Sequence, residues 1–294
     1  MNDDTSFARF SASLSEALDW LTELGQNTSS SRFGTYRKTV SRFLASTSPE
    51  RQRDPDEMRQ GFAAVESGLE LISIHQHLRE NASAEFRRRL RDYVKGTILE
   101  MDEKPSTGSN HARNIGFELF LGARMAEARF NPVFPEDGDL HLPSFPMNFE
   151  CKRLQSEKMV ATEVADAADQ LHRRAKGADP TPVGIIALNV GKLIHGGARV
   201  LQAASTEELD LLMHNQIKEF RLKHYPKWSK SKYTNVHGAF VFFSGPVVTP
   251  EPATLFLGHY TGAHLSESKC DKVQDASIRL LVTEMSKYIG PQTL

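Results

Sequence analysis

The sequence predicts an α/β protein with a three-layer core, a central mixed sheet flanked by helices, preceded by an all-helical region. Three observations predict it. Between residues 114 and 190 the apolar spacing passes from helical to strand, back to helical and again to a strand-length run, the order a layered α/β core requires. Val183 to Val190, VGIIALNV, is apolar almost throughout, as in a strand buried on both faces. The first hundred residues carry helical spacing instead. At 294 residues, 39% hydrophobic and 25% charged, the chain has the composition of a globular protein with one large or two modest domains.

In the N-terminal part, Phe7, Phe10, Leu14, Ala17, Leu18 and Leu21 mark a first helix ending near Gly25. After a Ser-rich break at Thr28–Ser31, a second carries Tyr36, Val40, Phe43 and Leu44. The polar link Ser48–Pro55 precedes a longer helix with Met58, Phe62, Val65, Leu69, Ile72 and Leu78. A fourth is predicted over Ala84–Glu100. Its run Arg87-Arg88-Arg89-Leu90-Arg91 suits a solvated face or, alternatively, phosphate contacts. Lys104–Ser109, KPSTGS, has linker composition, which divides the chain into a helical region, 1–104, and a core, 105–294.

The core opens with a helix over Asn114–Ala128. Ile115, Leu119, Gly122, Ala123 and Ala126 recur at helical spacing, and Phe117, Phe120, Leu121 and Met125 cover the other sides, so the helix is buried nearly all round. Glu118 lies in its middle. A buried carboxylate needs a partner, Arg124 or Arg113, or a metal.

The turn Pro135–Gly138 then leads to Asp139 and a short strand, Leu140–Leu142. In the next strand Met147, Phe149 and Cys151 alternate with Asn148, Glu150 and Lys152. Neighbouring strands would bring Asp139, Glu150 and Lys152 to one point. Grouped carboxylates are natural ligands for a hard cation such as Mg²⁺, and an adjacent lysine can hold a water or stabilise phosphoryl charge. By itself a Glu-x-Lys is the ordinary pattern of the solvent face of an edge strand, Glu and Lys being among the commonest surface residues, and the flanking elements supply what goes beyond that. Cys151, on the alternate side, reads as a small core residue.

A helix over Glu157–Lys176 follows, with Val160, Val164, Ala167, Ala168, Leu171 and Ala175 as its apolar stripe and Gln170 and Arg174 four apart on a polar side. Beyond the buried strand, Ser205 and Glu208 form a capping box for a helix with Leu209, Leu212, Met213, Ile217 and Phe220. This runs into a segment where Lys218, Arg221, Lys223, Lys227, Lys230 and Lys232 are interleaved with Tyr225, Trp228 and Tyr233. Such a mixture can bind nucleic acid through phosphates and stacking. It also describes a basic surface loop with its aromatics tucked inward. With a net charge of −1, any affinity for nucleic acid must come from a local patch. Strands are predicted at 236–244 and 254–260, and a terminal helix at 275–289.

Several classes are excluded. No apolar run reaches membrane-span length and the first residues are polar and acidic, so no membrane partner and a cytoplasmic location are expected. Two cysteines, Cys151 and Cys270, make no disulfide framework. His-Glu-x-x-His, Walker, dinucleotide and Gly-x-Ser-x-Gly patterns are absent.

Taken in order, Glu118 in RNIGFEL, Asp139 in GDL and Glu150-Cys151-Lys152 in FECK resemble the motif positions of the restriction-endonuclease-like, or PD-(D/E)XK, nuclease superfamily, over about Asn110–Val190 and, more loosely, on to Ser244. Pro does not directly precede Asp139. Asp137, after Pro135-Glu136, competes for its role, and Asp139 is favoured because it adjoins the apolar strand residues. The resemblance implies a restriction-endonuclease-like core and a Mg²⁺-dependent endonuclease that hydrolyses phosphodiester bonds of DNA, with Mn²⁺ as a substitute. In that picture Asp139 and Glu150 bind the metal with Glu118 and the backbone carbonyl of Cys151. Lys152 orients or helps deprotonate the attacking water and stabilises the transition state, and Gln170 completes the site, its alternative being a solvated helix residue. A role in bacterial restriction or antiviral defence is also implied, with a homodimer or a partner protein of a defence system; RNA as substrate stays open. Two other readings remain. One is a catalytically inactive nucleic-acid-binding protein using Lys218, Arg221, Lys223, Lys227, Trp228, Lys230 and Lys232. The other is a protein-interaction module in which Glu118 is paired with an arginine.

Overall fold

Helical spacing in the first third of the chain becomes a set of packed helices in the computed structural model, which describes residues 3–45, 55–99, 102–103, 110–178, 181–194, 201–230, 232–250, 253–265, 272–287 and 290–293. The chain forms two compact units. One holds residues 1–123 with 254–257 and 293–294; the other holds 124–253 and 258–292. The division falls inside a helix, after Ala123, rather than at residue 104. The expected linker 104–109, most of the polar link before Pro55, and Cys270 lie outside the described residues.

The first unit contains α1 (Asp3–Glu23), α2 (Arg32–Ala45), α3 (Pro55–Leu78), α4 (Ala84–Tyr93) and most of α5 (His111–Glu127). Gly25, at φ +78°, ends the first helix in the left-handed conformation that glycine adopts freely. Ser31 and Ser83 cap α2 and α4 by accepting from the N–H groups of Phe33 and Phe86. α4 stops at Tyr93, short of the expected Glu100. Gly96, at φ +103°, turns the chain there, and the carbonyls of Thr97 and Ile98 accept from Arg113 instead of continuing a helix. Leu14, Leu18, Leu21, Phe33, Tyr36, Val65, Ile72, Phe86 and Tyr93 form the core. Buried among them, Arg32 lies 5.0 Å from the ring centres of both Phe33 and Tyr93. Its charge is met by ring faces rather than by a hydrogen-bond acceptor.

The second unit is built on a mixed sheet. β1 (Leu140–Leu142) runs antiparallel to β2 (Met147–Arg153); β2 is parallel to β3 (Val183–Asn189), and β3 to β5 (Val236–Pro250), with β4 (Leu201–Gln202) beside β5. β6 (Ala253–Leu265) and β7 (Gly290–Thr293) follow in the order of the sheet. Parallel neighbours need crossover connections, and two helices lie on them. α6 (Val160–Ala175), entered through a 3-10 turn at Glu157–Met159, links β2 to β3, and α8 (Thr206–Ser229) lies on the path from β3 to β5 after the short α7 (Gly191–Ile194). The terminal helix expected at 275–289 is α9 (Lys272–Ser286), with Ile278, Leu281 and Met285 buried. Ser205 Oγ accepts from Glu208 N and Glu208 Oε2 from Ala204 N, which anchors the start of α8.

Register places the side chains. Asn148, Glu150 and Lys152 pair with Gly184, Ile186 and Leu188, and therefore share one face of the sheet. α6 lies on that face: a Cβ added at Gly184 would come 3.2 Å from the Cβ of Leu171. The glycine is what lets this helix approach so closely. The opposite face is apolar, with Phe149 and Phe240 in edge contact at 6.4 Å. Among the described residues no helix is long and apolar enough to cross a membrane.

Candidate active site

β2 is an interior strand, between β1 and β3, so its polar residues are not the solvent face of a sheet edge. Glu150 is only 2% exposed. A carboxylate at that depth costs several kcal/mol unless cations and hydrogen bonds meet it, and here two do. Oε1 accepts from Lys152 Nζ at 2.9 Å. Oε2 accepts from Arg174 Nη2 on α6.

Asp139 enters from the first strand. The β1–β2 pairs are Leu140↔Phe149, His141↔Asn148 and Leu142↔Met147, and one further step sets Asp139 opposite Glu150. Cross-strand neighbours on one face lie close enough to interact strongly. Asp139 Oδ2 accepts from Cys151 N at 2.5 Å, fixing the carboxyl beside the second strand. The competitor Asp137 has a side chain 93% exposed and lies 3.7 Å from Arg174 Nε, which leaves Asp139 as the acid held at the cluster.

Gln170 also comes to this point. Its Oε1 accepts from Lys152 Nζ at 2.8 Å, so the lysine is held from the strand and from the helix at once. One turn later on α6, Arg174 completes the group. It was visible in the sequence only as a polar residue four after Gln170. Its guanidinium lies against the backbone of the preceding turn: a Cβ at Gly138, where φ is +130°, would be 2.8 Å from Nη1. A side chain there would meet both the strained backbone and the arginine.

With two carboxylates and two cations, the cluster is formally neutral. Burial, and then the negative charge of Glu150, push the Asp139 carboxyl up from 3.8 to about 6; the Cys151 N–H, Arg174 and Lys152 oppose that rise. Burial by itself would lower the Lys152 ammonium, but the Glu150 carboxylate, with Asp139 and Glu163, raises it on balance. Lys152 is therefore a firmly held positive charge.

The folded chain binds the Asp139 proton more tightly than the unfolded chain does, so its stability falls as pH rises from about 4 to about 6, by about 3 kcal/mol in all. Asp139→Asn keeps an oxygen for the Cys151 N–H and removes the charge. Urea unfolding on either side of that window is expected to show the variant gaining on the parent as pH rises. Identical pH dependence in the two chains would show an ordinary carboxyl.

For a hard cation the donor set fits in kind. Asp139 and Glu150 supply oxygen ligands whose mutual repulsion a cation would relieve, and Mg²⁺ takes one or two carboxylates and keeps waters. Among the described residues no three His, Cys, Asp or Glu side chains converge as a preformed cage. Glu118 belongs to the other unit. Its Oε2 accepts from Arg89 Nε at 2.9 Å, whereas the partners expected for it, Arg124 and Arg113, pair with Glu127 and Glu103. The burial of Glu118 is thus explained by an ion pair with an arginine from the run on α4.

The basic segment divides. α8 continues through Ser229, with Pro226 in its last turn, so residues 218–229 are helix rather than loop. Trp228 has 0% exposure and is a core residue, not a stacking platform. Lys223 Nζ lies 2.5 Å from Glu157 Oε1 and Lys227 Nζ 2.6 Å from His224 Nδ1. Lys232 sits over the ring of Tyr233 at 4.8 Å and 3.9 Å from Asp169. Lys218 and Arg221, with His214, Leu222 and Tyr225, line a cavity of ≈ 420 Å³, and Lys230 is exposed.

Compared with protein-family models, with curated proteins and with solved structures, the chain matches none.

Proposed function

We propose that this chain is a divalent-cation-dependent endonuclease of the restriction-endonuclease-like kind, hydrolysing phosphodiester bonds of DNA in bacterial restriction or anti-phage defence. The observation that carries this reading is the buried carboxylate Glu150, opposite Asp139 and bound by a lysine that α6 also holds. A buried ion cluster of this kind contributes little to stability compared with apolar packing. Its placement at the end of the β1–β2 ladder is better explained by chemistry.

Mg²⁺, or Mn²⁺ in its place, held by Asp139 and Glu150 with the Cys151 carbonyl, would polarise a phosphate and lower the pKa of a bound water. Lys152, held by Glu150 and Gln170, orients the attacking water and stabilises negative charge on the phosphoryl oxygens. Gln170 fixes the direction of the ammonium. Lys218, Arg221 and Lys230 contribute cations for the DNA backbone. Glu118 takes a structural part, through Arg89.

The test is incubation of the purified chain with supercoiled plasmid in Mg²⁺, Mn²⁺ or EDTA, with single-stranded RNA in parallel. Nicked and then linear DNA with either metal and none with EDTA is the expected outcome. A chain that shifts DNA mobility but never cuts, with Lys152→Ala shifting it equally, would instead support the inactive binding protein.

A further inference from the structure

Glu150 has two oxygens, and in the chain by itself both are taken by side-chain cations. A metal ion cannot use this carboxylate fully until one of them leaves. The two are not held alike. Lys152 is fastened a second time by Gln170, at 2.8 Å. Among the described residues, the only other carboxylate within ion-pair distance of Arg174 is Asp137, at 3.7 Å and almost fully solvated, where a pair of charges is worth little; Asp139 acts on the guanidinium through space, without a direct contact to hold it. The more readily released partner is therefore the arginine. A guanidinium leaving a carboxylate needs another planar or multidentate oxyanion, and a phosphodiester supplies one of the right charge and shape.

Building on the nuclease reading above, we propose that Arg174 is a positioning residue that occupies Glu150 until a substrate phosphate draws it away, so that divalent cation and nucleic acid bind cooperatively. The helical spacing serves this arrangement. Gln170 and Arg174 are one turn apart on α6, so one helix pins the lysine while offering the arginine to whichever anion is present. Gly138 leaves the room in which the guanidinium lies. In the absence of substrate the neutral cluster resists a further cation. Once a phosphate takes Arg174, the Asp139–Glu150 pair regains its negative charge and binds one. By linkage, cation must then raise the affinity for nucleic acid by the same factor.

The experiment is Mn²⁺ titration, read by calorimetry or electron paramagnetic resonance, with and without a short phosphorothioate duplex that resists cleavage. For the parent, the duplex is expected to tighten Mn²⁺ roughly tenfold. Arg174→Met, which keeps the apolar stem, is expected to bind Mn²⁺ roughly tenfold more tightly than the parent without duplex, and to lose most of the duplex effect. Arg174→Lys should fall between them and covers the case in which the methionine variant does not fold. If Arg174→Met, or Arg174→Lys in its place, binds Mn²⁺ no more tightly than the parent, or keeps the full duplex effect, the inference is overturned while the nuclease reading stands. If the parent binds no Mn²⁺ under either condition, the cation site itself is wrong and both fall.

Discussion

Lys152→Ala is expected to slow DNA cleavage on the order of a thousandfold at saturating Mg²⁺, the loss seen when a fixed electrostatic donor is removed from a reacting oxyanion. The geometry gives the reason. The ammonium is held 2.9 Å from Glu150 and 2.8 Å from Gln170, so its charge is already in place and no reorganisation accompanies the reaction. Glu150 keeps only Arg174 when Lys152 is gone, so the variant should also melt several degrees lower, as a buried carboxylate deprived of one of its cations does, and its cleavage is compared with the parent's at a temperature where both are folded. Cleavage that persists in this variant would remove Lys152 from the chemistry and with it the proposed site. Gln170→Ala should slow cleavage less, because Glu150 alone still directs the lysine.

Glu118→Ala is expected to lower stability by about 3 kcal/mol, which corresponds to roughly 10 °C in melting temperature. Arg89 is 3% exposed, and it donates to Glu118 through Nε and to Glu85 through Nη1, each at 2.9 Å. Removing Glu118 leaves a buried guanidinium short of a carboxylate, the situation in which loss of one partner costs most. The loss should sit at the lower end of the range for such pairs because Glu85 stays. Replacing both partners with apolar residues, Arg89→Met with Glu118→Leu, should recover much of the stability. Glu118→Gln decides between this structural part and the metal-binding part implied by the nuclease resemblance. A variant that folds and still cuts supports the ion pair; one that folds as the parent does but has lost cleavage would return Glu118 to the catalytic set.

These two acids show how differently the sequence speaks. Asp139 and Glu150 could be placed because strands have a period of two and neighbouring strands pair residue by residue, so a short turn fixes which positions face each other. Helical spacing likewise located α1 to α3, α5, α6 and α9 to within a few residues. Glu118 was recognised as a buried charge needing a partner, but its partner lies on another helix at a separation of 29 residues, and local spacing carries no information about that. Arg124 and Arg113 were nearer in the chain and already engaged elsewhere. Trp228 was left between two readings for a related reason: a cation-rich segment gives no sign of which side its aromatics turn, and packing of α8 buried this one completely, in favour of the inward-turned alternative. α4 ended early because Gly96 could take a positive φ and the following carbonyls were needed by Arg113.

The order of amino acids by itself determined the α/β class, the alternating strand that carries Glu150 and Lys152, and the helix that carries Gln170, because each depends on periodicity within a single element. Only the tertiary structure decided that Glu150 is buried rather than solvent-facing, that Arg174 closes the cluster, and that Glu118 is committed to Arg89. Those outcomes depend on which residues meet across elements, and on the cost of leaving a charge away from water without one of opposite sign beside it.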